Sequence, residues 1–224
     1  MRIESLKSYL LACCALLSIP AVGLIYVYLN RAGEAYYSLA TDFDRQIPFL
    51  KIFVIPYISW YLFLFAGFMY LAYKDRRIYY KALLQFIVGL LLCYGVYAVY
   101  QTYVPRPEVV GDDLLSGMMR MVYQSDQPFN CFPSTHVLTS YLMMRAYLNA
   151  VSVPRVYKAV VTVMALLIIL STQFVKQHVL MDIVGAVLVA EGVIYAVARI
   201  RKGSMVKPLQ ANIRNGHMER GLER

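Results

Sequence analysis

Apolar runs of membrane-crossing length recur along the chain, with short polar connections between them. About 20 apolar residues in a row are enough to cross the hydrocarbon layer as a helix. Within that layer only helices and closed barrels satisfy their own backbone hydrogen bonds. Runs at 9–29, 49–73, 82–104 and 157–174 meet the length requirement. A shorter run at 136–148 has Pro133 suited to its first turn, and a last run covers 178–200. The sequence therefore reads as an all-α, polytopic membrane protein with six transmembrane helices. Residues 1–202 make one membrane domain, and 203–224 a short, basic, partly disordered arm. Charged residues are 16% of the chain against 60% hydrophobic, whereas soluble domains carry about a quarter charged. The basic start before the first run resembles a signal peptide, but the run is longer than the roughly 7–15 residues of a signal core. It is read as the first span, kinked at Pro20.

Six spans put both termini and the even connections on one side. That side carries 16 of the 22 Lys and Arg, while the other carries 6 of them with 8 of the 13 Asp and Glu. Lys/Arg bias sets orientation, so the termini are expected in the cytoplasm of a multi-pass cell-membrane protein. Short loops and six spans fit a bacterial inner membrane. The net charge of +9 then faces anionic lipid and not nucleic acid. Cys13, Cys14 and Cys93 fall in apolar runs and Cys131 in a loop, a pattern that supports neither a disulfide framework nor a metal knuckle. In the long connection 105–134, Leu114, Leu115, Met118, Met119 and Val122 share one helical face. That face suits either an interfacial helix or one packed on the protein's own loops.

The polar residues at the ends of these runs are the informative ones. Residues 171–182, Ser-Thr-Gln-Phe-Val-Lys-Gln-His-Val-Leu-Met-Asp, separate two apolar runs. Ionisable groups at such edges are costly and point to function. His178 and Asp182 are four apart, within roughly 6 Å between Cβ atoms on a helix. The carboxylate can fix the imidazole's tautomer, or the two can simply anchor a helix at the membrane edge. Arg106 follows the third run, Ser134-Thr135-His136 opens the fourth, and all three islands fall on the extracytoplasmic side. Two histidines, cations and a carboxylate at a membrane surface suit a phosphorylated lipid. The cations neutralise charge during transfer, one histidine attacks, and the other protonates the departing oxygen.

These islands resemble the signature of the type-2 phosphatidic acid phosphatase superfamily. Its three parts are Lys, six residues, Arg-Pro; then Pro-Ser-Gly-His; then Ser-Arg, five residues, His, three residues, Asp. The chain has Arg106-Pro107, then Pro133-Ser134-Thr135-His136, then Ser171-Thr172 with His178 and Asp182 at the matching spacing. The resemblance implies that His178 forms a phosphohistidine and that Asp182 orients it. It implies that His136 is the general acid and later the base, and that Arg106 and the backbone near Ser134 and Thr135 hold phosphoryl oxygens. It implies no metal or other cofactor. The substrate class it implies is a lipid phosphate or pyrophosphate of polyprenyl or glycerolipid type. Two cations of the signature are absent, since its Lys falls at Val99 and its Arg at Thr172. Lys176 is a candidate replacement at the phosphate site, or else an interfacial cap. Thr172 also resembles the branch of inositol phosphorylceramide and sphingomyelin synthases, which move a phospho-headgroup between lipids.

Other polar residues read differently. Glu191 lies 13 residues after His178, about 220° around the helix and roughly 20 Å deeper, which suits packing. Asp42, Asp44 and Arg45 suit a solvated loop, Cys131 a bystander, and the 20 tyrosines interfacial belts. His217, in the tail, carries no argument. An anion transporter is the remaining reading, with the polar cluster at one face and no internal repeat against it.

Overall fold

The computed structural model describes residues 3–31 and 36–219, with side chains over 7–31 and 36–200. The side chains of the basic arm, His217 among them, and residues 220–224 lie outside the described residues. The α-helices in order are α1 (Ile3–Leu16), α2 (Ser18–Leu29), α3 (Asp42–Gln46), α4 (Val54–Lys74), α5 (Arg76–Val99), α6 (Leu114–Ser125), α7 (Thr135–Asn149), α8 (Arg155–Phe174) and α9 (Leu180–Glu219). A single 3-10 turn, Lys51–Phe53, precedes α4. Among the described residues there are isolated bridges but no strand.

Among the described residues, five helical segments are long and apolar enough to cross a membrane: Lys7–Leu29, Lys51–Lys74, Arg76–Val99, Arg155–Phe174 and Leu180–Ile200. They mark a membrane protein. The fourth expected run forms α7, which at 15 residues is too short to join them. It is nonetheless the central helix, packed on α4, α5, α8 and α9. Val137, Leu138, Leu142 and Met143 on it are all but inaccessible. At Gly67 of α4 a Cβ would sit 2.9 Å from Met143 Sδ, so the Met143 side chain of α7 packs directly on the α4 backbone.

Two boundaries differ from the sequence reading. The first span breaks at Leu17, three residues ahead of Pro20. Pro20 has no N–H to give Leu16, and the Ser18 hydroxyl turns back to the Ala15 carbonyl at 2.7 Å. The third span ends at Val99 and not at 104. Residues 100–104 run extended instead, with Tyr103 N–H donating to Tyr37 O (2.9 Å) and Val104 N–H to Pro128 O (3.1 Å). Partners in the loops at Tyr37 and Pro128 thus outcompete one more helical turn.

Side-chain caps fix the remaining ends. Asp75 separates α4 from α5 and accepts Ile78 N–H at 3.0 Å, and Asp113 does the same for Ser116 N–H at 3.0 Å at the start of α6. α6 buries Met119 and Val122 against Val54, Tyr57 and Val175. It therefore packs on the protein's own helix ends and loops. Lys51 Nζ fastens it there, 2.7 Å from Asp113 Oδ2 and 2.7 Å from Ser116 Oγ.

Candidate active site

His178 lies in the turn between α8 and α9 and is buried. Its Nδ1 is 3.1 Å from Cys131 O and 3.2 Å from Asp182 Oδ2. Both partners are acceptors, so the Nδ1 proton is retained and the neutral ring keeps its lone pair on Nε2. Asp182 is fixed in turn, because its Oδ2 also accepts Val179 N–H at 2.9 Å. Cys131, read from sequence as a bystander, holds the nucleophile candidate through its carbonyl. Its thiol is buried, and burial pushes that thiol well above its ordinary pKa. The segment carrying this carbonyl is itself pinned. Thr102 Oγ1 accepts Cys131 N–H (3.2 Å) and Phe132 N–H (2.8 Å), and the Tyr97 hydroxyl donates to Pro133 O.

His136 sits in the first turn of α7, its ring centroid 5.8 Å from that of His178. Tyr57 stacks on it at 4.6 Å and Trp60 lies tilted against it at 4.3 Å, both from α4. Trp60 is fixed by donating Nε1–H to Thr139 Oγ1 at 2.9 Å. The aromatic walls orient the imidazole, and its buried Nδ1 has no protein partner among the described residues. Neither aromatic carried a signal in the sequence, where each reads as one more apolar helix residue.

Ser134 is the N-cap of α7, its hydroxyl accepting Val137 N–H at 3.3 Å. Its backbone N–H donates to Asp182 O at 3.2 Å, which ties the α7 start to the α9 start. Thr135 opens the helix, so its N–H is among the first-turn donors that a helix N-terminus offers to anions. Thr172 is fully buried and turns its hydroxyl to Ile169 O at 2.7 Å. Its carbonyl accepts Gln177 N–H (3.0 Å) and His178 N–H (3.2 Å), so it shapes the turn through its backbone. Val99 is 85% exposed, so the signature's first cation position does not reach the site.

Arg106 is held under Tyr123, its guanidinium carbon 4.7 Å from the ring centroid. Nη1 donates to Tyr123 O (3.2 Å) and Asp126 O (2.6 Å), and Nη2 to Gln177 Oε1, beside His178. Its Nε is buried without a partner among the described residues. Lys176 adopts a left-handed backbone at φ 55° and donates to Asp44 O (2.9 Å) and Ile47 O. Burial lowers its pKa, with the Asp44 charge acting in the opposite direction.

Arg106, Lys176, His178 and Gln173 line one cavity of about 780 Å³, whose far wall is the loop between α2 and α4, including Asp44, Arg45 and Ile47. Asp42 and Arg45 are solvated as expected, paired at 2.7 Å with side chains 89% and 73% exposed. Asp44 is not: it is 6% exposed and accepts Leu180 N–H at 2.8 Å. Its sequence context offered no sign of this, because the partner is 136 residues away. Glu191 pairs instead with Arg145 and accepts from Tyr141 at 2.6 Å, away from the histidines.

A family model, the PAP2 superfamily, matches residues 83–205, which contain both histidines, Asp182, Arg106 and Lys176. The chain belongs to the PAP2 superfamily. Membership suggests phosphatase-type activity on phosphate esters. Searches of curated proteins and of solved structures find no match. The PAP2 match begins inside α5, so α1–α4 and the cavity wall they support lie outside it.

Proposed function

We propose that the chain is an integral membrane phosphatase that removes phosphate from a lipid phosphate or pyrophosphate through a phosphohistidine on His178. The observation that carries this reading is that two acceptor oxygens flank His178 Nδ1, where they hold a proton. Held toward Cys131 O at 3.1 Å and Asp182 Oδ2 at 3.2 Å, that proton leaves Nε2 as the nucleophile on a ring that lines the cavity. Nε2 attacks phosphorus, the bond from phosphorus to the lipid oxygen breaks, and protonated His136 gives that oxygen its proton. Water then attacks the phosphohistidine and loses a proton to His136, and phosphate leaves with Nε2 free again. Asp182 stabilises the charge that His178 gains. Arg106 Nε–H, the third Lys176 donor and the α7 N-terminus are available to the equatorial oxygens.

In this reading α7 is the fourth of six spans, short because its outer end stops at the buried site. The Lys/Arg asymmetry puts the site on the extracytoplasmic face and the termini in the cytoplasm. The test is phosphate release by purified protein from polyprenyl and glycerolipid mono- and diphosphates, with chelator present. Release lowered roughly 10²–10⁴-fold by His136→Ala, least for a good leaving group, is the expected outcome. Label moving to an added acceptor lipid without free phosphate would make the protein a phosphotransferase instead.

A further inference from the structure

We propose that Asp44 is a positioning residue for the histidine site: from the first outer loop, its carboxylate holds the turn that presents His178. This rests on His178 being the nucleophile, and it concerns a residue outside the segment matched by the family model.

The turn between α8 and α9 needs external support. Lys176 takes a left-handed backbone at φ 55°, a conformation that costs a non-glycine residue about 1 kcal/mol or more. Inside the turn, only the Thr172 carbonyl receives the N–H groups of Gln177 and His178. Tyr123 of α6 donates to Val175 O at 2.8 Å, Arg106 donates to Gln177 Oε1, and Cys131 O faces His178 Nδ1, while the first outer loop adds three further contacts. Leu50 N–H donates to Phe174 O at 3.0 Å where α8 ends. Lys176 Nζ donates to the Asp44 and Ile47 carbonyls at the middle of the turn. Asp44 Oδ1 accepts Leu180 N–H at 2.8 Å where α9 begins. The loop thus grips the turn at both ends and at its centre.

Asp44 is built for this task. Its second oxygen accepts Thr41 N–H at 2.8 Å, within a capping box in which Thr41 in turn accepts Asp44 N–H at 3.3 Å. The carboxylate is therefore immobile before it reaches α9. Its negative charge also faces the positive end of that helix. The first turn of α9 carries Asp182, the partner of His178. Whatever fixes Leu180 N–H therefore adds to the Val179 and Ser134 N–H bonds in setting the distance between Asp182 and the imidazole. Asp42, two residues earlier, is 89% exposed, pairs only with Arg45 and has no part in the turn.

The experiment compares Asp44→Ala, Asp44→Asn and Asp42→Ala in full-length protein in lipid nanodiscs. It reads amide exchange over residues 175–181, together with kcat and KM for phosphate release. In Asp44→Ala, exchange over the turn rises by ~10–150-fold, the factor for losing a hydrogen bond to a charged acceptor. There kcat falls while KM stays nearly constant, because orientation of the nucleophile matters in the transition state and not for ground-state binding. Asp44→Asn, which keeps an oxygen for Leu180 N–H, lies between Asp44→Ala and wild type, and Asp42→Ala matches wild type. Unchanged exchange in both Asp44 variants, or a rise in KM alone, overturns the proposal. If Asp44→Ala does not fold, Asp44→Asn decides by the same two readouts. Exchange that responds as described in a protein releasing no phosphate would fault the phosphatase reading and leave the grip on the turn standing.

Discussion

Gly185→Ala is the smallest perturbation that should reach the nucleophile from outside the site. A Cβ at Gly185 on α9 would lie 2.4 Å from Phe132 Cε2 and 2.7 Å from Cζ. Carbon atoms settle at about 3.5–4.0 Å, so the ring must retreat by roughly 1 Å. It has little freedom to do so. Phe132 N–H is bonded to Thr102 Oγ1 at 2.8 Å, and the next residue, Pro133, is held by Tyr97. The residue before it is Cys131, whose carbonyl is 3.1 Å from His178 Nδ1. Overpacking of one methyl in a tight core costs about 1–3 kcal/mol. If the strain passes to the Cys131 carbonyl, kcat falls by up to ~5–150-fold. The assay is kcat and thermal midpoint of Gly185→Ala in nanodiscs, beside the double variant Gly185→Ala with Phe132→Leu. The smaller side chain should restore much of both. Wild-type kcat and midpoint in Gly185→Ala would refute the claim that Phe132 packs on the α9 backbone and carries the Cys131 carbonyl.

Lys176→Met should lower kcat/KM by ~10–150-fold, the loss of a charge-assisted hydrogen bond to a phosphoryl oxygen, and Thr172→Arg should not rescue it because that side chain points into its own helix. Burial lowers the Lys176 pKa, so its charge is lost as pH rises through a value below the ordinary 10.5, and the alkaline limb of activity should lie there and move up in Lys176→Arg. Burial works against ionisation of Asp44, but hydrogen bonds from Thr41 and Leu180 and the Lys176 charge outweigh it and hold its carboxyl below 3.8. Its contribution to stability is therefore complete above pH 3.8 and lost as pH falls through the lower folded value, a loss that a thermal midpoint series should show in wild type and not in Asp44→Ala. For orientation, the buried Cys131 is a poor probe, and new cysteines at Asp112 (side chain 106% exposed) and Val151 (94% exposed) in a cysteine-free background are better ones. An impermeant thiol reagent should reach the first in intact cells and the second only after permeabilisation, and the reverse pattern would invert the topology.

The helices were legible because apolar length alone dictates them. The 178–200 run becomes the apolar part of α9 from Leu180 on, whereas Pro133, expected in the first turn of α7, stands one residue ahead of its Ser134 N-cap. The ends were less legible. Residues 100–104 are apolar enough for a helix, and their extended form depends on Tyr37 and Pro128, which are far away in sequence. At the site, the four-residue spacing points to His178 beside Asp182 on one helical face. The two do meet at 3.2 Å, but His178 stands in the turn ahead of α9, so the contact depends on that turn and not on helical spacing alone. The Cys131 carbonyl, the Tyr57 and Trp60 walls around His136, and the Asp44 contact with Leu180 had no such signature. Each is a tertiary contact made by a group that is common in any membrane helix or loop.

The central claim is that Nε2 of His178 carries the phosphoryl group, and trapping that intermediate tests it directly. Protein in nanodiscs is mixed briefly with a lipid phosphate labelled at phosphorus, quenched in alkaline detergent to preserve phosphohistidine, and digested for mass spectrometry. The account predicts label on the peptide containing His178, attached at Nε2, and none in His178→Ala. Label retained in His178→Ala, or attached at Nδ1 or at another residue, would contradict it.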